Sequence, residues 1–236
     1  MQASRHIDGE LFWRTANRRN PAAAEFASHR RSRINPGSVA MIFTETELAG
    51  AFTIELAAHQ DDRGFFARLF CQNEFAAHGL KSFVVQANIG ANRRRGTVRG
   101  MHFQFPPAAE TKYVRCVRGA VLDVIVDLRP ESPTYLRHIA VELSAENQRG
   151  IYIPERFAHG YQTLEDDTDT IYMVGEFYTP GMGGGLRHDD PRLGLSWPLP
   201  VEVISEKDRN WKLLQDVEQE LRQRMSEPGV SLSNVA

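Results

Sequence analysis

The run Tyr113-Val114-Arg115-Cys116-Val117-Arg118-Gly119-Ala120-Val121-Leu122-Asp123-Val124-Ile125-Val126-Asp127-Leu128 carries the fold class. Apolar and β-branched residues dominate both halves, and Gly119-Ala120 interrupts them as a turn, so the pattern predicts two strands joined tightly as a hairpin. In the second half Leu122, Val124, Val126 and Leu128 share one face, while Val121, Asp123, Ile125 and Asp127 share the other. An unpaired buried carboxylate is costly, so the face bearing Asp123 and Asp127 is expected to meet arginine side chains or solvent.

Outward from this run the chain keeps the same texture. Short alternating runs at 41–44, 51–56, 65–70, 83–88, 138–143, 150–154, 160–164 and 170–178 read as strands, with Asp61-Asp62-Arg63-Gly64 as a turn. A short helix is expected from Asn73 as N-cap to Gly79 as C-cap. Only the end is strongly helical: over 208–225, Trp211, Leu214, Val217 and Leu221 follow a helical spacing, and Pro228-Gly229 then opens a polar tail. Many short strands with little helix predict an all-β sandwich or barrel. The spacing Gly96-x5-His102-x-Gln104, with Gly119 beyond, narrows this to a cupin-like jelly roll with short flanking helices and a C-terminal helix. Its domain is expected over 41–215, with 216–236 as the helix end and tail.

The chain has 236 residues, 42% hydrophobic and 25% charged, which is ordinary for one globular unit. A net charge of −2 gives no bulk attraction to nucleic acid or to an anionic membrane. No apolar run approaches the roughly 20 residues of a membrane span, and the N-terminus lacks the apolar stretch of a secretory signal. Cys71 and Cys116 stand apart in apolar runs without metal-binding spacing, as expected of reduced thiols in a cytoplasmic protein. Residues 1–40 differ from the rest: seven Arg, no Lys and three acids give a local balance of +4, leaving −6 for the remainder. They read as a disordered, dispensable leader before a start at Met41, or as an Arg-rich transit segment.

Arg99-Gly100-Met101-His102-Phe103-Gln104, followed by Lys112, holds the candidate chemistry. Imidazole is the usual group for lifting a proton at neutral pH. Several ordered motifs join it: Asp62-Arg63-Gly64-Phe65-Phe66, Lys112-x-Val114-Arg115, Asp123-Val124-Ile125-Val126-Asp127-Leu128-Arg129, Leu143-Ser144-Ala145-Glu146-Asn147, Phe157-Ala158-His159-Gly160 and Ser205-Glu206-Lys207-Asp208. Together they resemble the dTDP-4-dehydrorhamnose 3,5-epimerase family of cupin-fold enzymes, over about Met41 to Leu214.

The resemblance implies inversion of C3, C5 or both of a nucleotide-linked 4-keto-6-deoxysugar through an enolate, with no metal or other cofactor. It implies His102 as base, Asp208 as its supporting carboxylate, Lys112 at the developing oxyanion and Tyr172 as acid. Arg63 and Arg99 match pyrophosphate-binding arginines, Gln86 and Asn88 the nucleotide pocket, and His159 and Lys207 contacts to sugar or phosphate. Gln104 and Phe177 complete the implied substrate-binding set, and a homodimer is the implied assembly. The chain departs from the family pattern on the nucleotide side: Arg68 replaces a glutamate, Ala87 an aspartate, Phe177 a tyrosine, and the loop 181–185 is rich in glycine. Two other readings stand beside this one. A metal-dependent cupin of dioxygenase type would use His102, Glu110 and His159, although Gln104 stands where a further His is expected. A sugar-nucleotide binding protein would hold the same ligand without turnover.

Overall fold

The computed structural model describes residues 40–226. The expected leader, but for its last residue, and the tail after Ser226 lie outside the described residues.

Two six-stranded sheets form a cupin-like jelly-roll β-sandwich. The first runs β1 (Ile42–Glu45), β2 (Phe52–Glu55), β10 (Arg149–Ile153), β7 (Lys112–Arg118), β12 (Thr168–Val174), β5 (Gln86–Asn92). The second runs β13 (Gly183–Gly185), β6 (Thr97–Gln104), β11 (Phe157–Thr163), β8 (Ala120–Asp127), β9 (His138–Ser144), and the short β14 (Val203–Ile204) also joins β6. β14 pairs parallel to β6, and the other ladders are antiparallel. β3 (His59–Asp61) and β4 (Gly64–Phe66) form a separate ribbon that turns at Asp62-Arg63.

The expected hairpin is not formed. β7 pairs with β10 and β12, whereas β8 pairs with β9 and β11, so the two consecutive strands lie in different sheets. Gly119, at φ +70°, is the corner where the chain crosses between them. A Cβ there would collide with Thr168 Oγ1. Glycine marks a break in either arrangement, because a corner between sheets and a hairpin turn call on the same backbone conformation.

Alternation along the strands builds three apolar layers. Between the sheets, Val114, Cys116 and Ile151 meet Val121, Ile125 and Tyr161. On the outer face of the second sheet, Val124, Val126 and Met101 pack against Leu214, Leu221 and Met225 of the C-terminal helix. On the outer face of the first, Ile54, Tyr113 and Tyr152 are covered by Phe75. Phe75 belongs to α1 (Gln72–Ala77), whose N-cap is Cys71 rather than Asn73 and makes no side-chain cap. Its C-cap is His78, and the expected Gly79 follows one residue later at φ +73°: Gly79 N–H bonds to Ala76 O, Leu80 N–H bonds to Phe75 O, and both Phe75 and Leu80 are buried.

Asp123 and Asp127 are both fully buried, not solvated. Asp127 meets the expected arginine, Arg129, at 2.7 Å, with the hydroxyls of Ser132 and Thr134 at 2.6 and 2.7 Å. Burial works against its charge, but these donors outweigh burial and hold its carboxyl below the ordinary range. Asp123 faces a histidine instead.

The expected single helix over 208–225 is two. α2 (Glu206–Arg209) is capped by Ser205, whose Oγ accepts from Asp208 N–H, and it ends at Asn210. α3 (Leu214–Met225) begins anew, with Leu214 N–H donated to buried Asp190. Trp211 lies between them, so the helical spacing that included it continued across a break.

Candidate active site

The space between the sheets opens into a cavity of about 490 Å³ lined from β5, β6, β7, β11 and β12. His102 on β6 and His159 on β11 are direct register partners, so both rings line the cavity side by side. The strands approach closely there because Gly100 and Gly160 face each other: a Cβ on Gly100 would lie 2.5 Å from Gly160 Cα.

Each histidine has its own carboxylate. His102 Nε2 lies 2.6 Å from Asp208 Oδ1, and Gly100 N–H donates to Asp208 Oδ2 at 3.3 Å. Burial pushes the Asp208 carboxyl up, but the His102 hydrogen bond and charge, with the Gly100 and Ser205 contacts, more than offset it and hold it below its ordinary range. An ionised Asp208 accepts Nε2–H, which leaves the lone pair on Nδ1 of an imidazole that is still 44% exposed. His159 Nε2 lies 2.8 Å from Asp123 Oδ2. Here burial dominates: it raises the Asp123 carboxyl despite the His159 charge and hydrogen bond.

Lys112, first residue of β7, is buried in the cavity wall and donates to Glu110. Burial drives its ammonium pKa down, and the Glu110 charge and hydrogen bond act against that shift. Tyr172 on β12 enters the same cavity, and burial raises its phenol above the ordinary value, with Tyr161 and Glu110 adding to the shift and Arg99 opposing it. The phenol is therefore protonated and able to donate. Arg99 reaches the rim, held by Asn92 Oδ1 at 2.7 Å.

The chain matches the family described as dTDP-4-dehydrorhamnose 3,5-epimerase over residues 45–216. A protein of that name from Methanothermobacter thermautotrophicus is 43% identical over 177 residues, covering 74% of this chain and 95% of its own. This chain belongs to the dTDP-4-dehydrorhamnose 3,5-epimerase family. It is an epimerase, of the isomerase class. Among solved structures, the Bacillus anthracis epimerase with TDP and PPi bound is 38% identical with a TM-score of 0.72, covering 74% of this chain and all (100%) of the other. The Legionella pneumophila enzyme in complex with dTDP-4-keto-L-rhamnose is 34% identical with a TM-score of 0.72, covering 77% of this chain and 96% of its own.

Within this epimerase the cavity gathers most of the residues singled out by sequence. His102, Lys112, Tyr172, Gln86, Asn88, Arg99, His159 and Lys207 line it, with Asp208 directly behind His102. Gln104 also reaches it, but its amide is spent on the protein: Nε2 donates to Ala108 O and Phe177 O, and Oε1 accepts from Thr179 N–H. Phe177 is 57% exposed and outside the lining, where its neighbour Tyr178 stands instead. Arg63 is not brought to the cavity of its own chain. It sits on the β3–β4 turn, 90% exposed, paired with Asp61 at 2.6 Å. Arg68 pairs with Glu74 at 2.5 Å, beside α1.

Sequence reasoning placed Glu110 only in the metal-dependent alternative, and it did not assign Tyr161 or Tyr178 to this site, nor Asp123 as the partner of His159. Glu110 carried a signal, since it stands two residues before Lys112 at a strand start. His102, Glu110 and His159 do meet in one cavity, but each already has a side-chain partner of its own, Asp208, Lys112 and Asp123. Among the described residues no group of three His, Cys, Asp or Glu is placed to hold a metal ion.

Proposed function

We propose that this epimerase inverts C3, C5 or both of a dTDP-linked 4-keto-6-deoxysugar, of the dTDP-4-dehydro-6-deoxyglucose to dTDP-4-dehydrorhamnose type. The observation that carries the reading is the convergence of His102–Asp208, Lys112 and Tyr172 on one cavity. His102 Nδ1 takes the proton from the carbon beside the ketone, and Asp208 stabilises the imidazolium. The electron pair moves onto the ketone oxygen, where the Lys112 ammonium meets the developing charge. Tyr172 returns a proton from the other face of the ring, and solvent resets both groups before a second centre reacts. The protons balance within the site, and no electrons are exchanged with a redox partner. Arg99 and Lys207 supply positive charge for the diphosphate, and Gln86 and Asn88 line the nucleotide side.

We further propose a homodimer in the cytoplasm. The β3–β4 ribbon presents Phe65 and Phe66, 55% and 71% exposed, together with Arg63, and β1 and β5 are edge strands. Seating that ribbon on a second copy would cover the two rings and carry Arg63 to the partner's diphosphate. Cys71 and Cys116 are free thiols, which supports a reducing compartment. Among the described residues no helix is long and apolar enough to cross a membrane.

The test is incubation in deuterated water with dTDP-4-keto-6-deoxyglucose. Label at C3 and C5 is the expected result, and label at one carbon identifies a mono-epimerase. Tight binding with no label at either carbon would replace the epimerase reading with a binding protein. Activity that depends on a stoichiometric transition metal would overturn it in favour of a metal-dependent cupin.

A further inference from the structure

Glu110 is a carboxylate in a cavity read as binding a diphosphate. Among the described lining residues it is the only acid, because Asp208 and Asp123 stand behind their histidines. A negative group there opposes an anionic ligand, so its place requires a compensating use. The surroundings of Lys112 supply one. In the sheet Lys112 is flanked by Val174 on β12 and Ile153 on β10, both apolar and unable to hold a charge. The titratable groups facing the cavity from the other elements are Tyr172 on β12, His102 and Arg99 on β6, His159 and Tyr161 on β11, Tyr178 and Lys207. None of these is anionic at neutral pH. Glu110 accepts a hydrogen bond from Lys112 Nζ, with side chains only 15% and 10% exposed.

We infer that Glu110 is a positioning residue for the epimerisation: its carboxylate keeps the buried Lys112 ammonium charged and turned into the cavity. This rests on the reading of Lys112 as the group that meets the enolate oxygen. The backbone around Glu110 is fixed for the task. Gln104 Nε2 holds Ala108 O at 3.1 Å, two residues before it, and Gly175 N–H holds Thr111 O at 3.0 Å, one residue after. A buried amine with apolar flanks loses its proton readily. An adjacent carboxylate opposes that tendency, at the cost of weakening the ammonium's field at the oxyanion.

The experiment compares wild type with Glu110→Gln, Glu110→Asp and Lys112→Arg. Two readouts are used: the pH profile of solvent-deuterium incorporation, and the pH titration of the Lys112 Cε resonance in protein labelled with 13C-lysine, assigned by its absence in Lys112→Arg. In Glu110→Gln the Lys112 resonance should titrate at lower pH than in wild type. The basic limb of kcat/KM should move the same way, so that activity falls about tenfold more above that limb than at neutral pH, with KM little changed. Glu110→Asp should restore both profiles towards wild type. In Lys112→Arg the guanidinium stays charged, and adding Glu110→Gln should leave the basic limb where it is. An unchanged Lys112 titration, or a loss in Glu110→Gln that is uniform across pH, would overturn the inference. The resonance titration needs no substrate, so it judges the Glu110–Lys112 link even if wild type exchanges no deuterium and the epimerase reading itself fails. If Glu110→Gln does not fold, the Glu110→Asp titration decides: the inference requires the ammonium to stay charged there as in wild type.

Discussion

Replacing Asp208 by Asn isolates the charge behind His102. The amide Oδ1 can still accept Nε2–H and keep Nδ1 free, so geometry and tautomer survive while the negative charge is lost. Two unit charges with centres about 4 Å apart interact by about 4 kcal/mol at an effective dielectric of 20 and about 1 kcal/mol in water. Asp208 is 6% exposed and its partner His102 is 44% exposed, so the pair lies between these limits. Screening at the open side of the ring leaves about 2–3 kcal/mol for the imidazolium formed in the transition state. That corresponds to a fall in kcat of about 30- to 150-fold. Asp208→Ala removes the orienting acceptor as well and should lose about 10²- to 10⁴-fold, the range of a misplaced general base. The assay is the initial rate of deuterium incorporation at saturating substrate, with thermal melting run alongside. If Asp208→Asn stays within about threefold of wild type, Asp208 does not support a charged His102 in the rate-limiting step, and the dyad reasoning fails.

Three other perturbations probe the scaffold around the site. Asp127→Asn should destabilise the fold by about 3–5 kcal/mol at neutral pH, because Arg129 loses its buried partner; because the Asp127 carboxyl is held low in the folded state, the stability it contributes is present above the ordinary carboxylate range and lost as pH falls through the lowered value, so urea melts of variant and wild type should converge in acid. A gap that stays constant with pH would show that Asp127 is not the group responsible. Gly160→Ala places a Cβ 2.6 Å from Met101 Sδ and 2.9 Å from Arg99 O, and the overpacking should cost about 1–3 kcal/mol and part His102 from His159, read as a lower Tm together with slower exchange. A variant as stable and active as wild type would remove the close β6–β11 approach from the argument. Gln104→Leu should leave the carbonyls of Ala108 and Phe177 and the N–H of Thr179 without their partner and cost about 1–3 kcal/mol, raising KM more than it lowers kcat; the reverse pattern would assign Gln104 to the chemistry itself.

The periodicity of the chain was enough to place residues on faces, and faces are what local alternation records. Leu122, Val124 and Val126 do share a side, and Phe75 with Gly79 does close a helix. Periodicity does not record which neighbour a face meets. The break at Gly119 was legible, but whether β8 folds back on β7 or crosses to another sheet depends on β9 and β11, which lie far along the chain. The same blindness explains Asp123. Its partner His159 is 36 residues away, so a carboxylate predicted to seek arginine or water found an imidazole instead. His102 and Asp208, 106 residues apart, were joined beforehand only by resemblance to a family, not by any local signal. In α2 and α3 the helical spacing was real on both sides of a break. The break at Asn210 was hidden because Trp211 happened to continue the period.

Glu110 marks the limit of motif reading most clearly. Its sequence neighbours place it near Lys112 but give it no role in proton transfer. What singles it out is the pair of apolar residues, Val174 and Ile153, that β12 and β10 set beside Lys112, so that the ammonium has no other carboxylate in the cavity wall among the described residues. That is a property of sheet order, not of composition. Arg63 makes the converse point. A matched motif gave it a ligand, yet the fold holds it on an exposed ribbon away from its own cavity, so its role depends on whether a second copy meets that ribbon. An Arg63→Ala variant that keeps full diphosphate affinity while remaining dimeric would therefore count against the ribbon's place at the partner's site, and would leave the His102–Asp208 chemistry untouched.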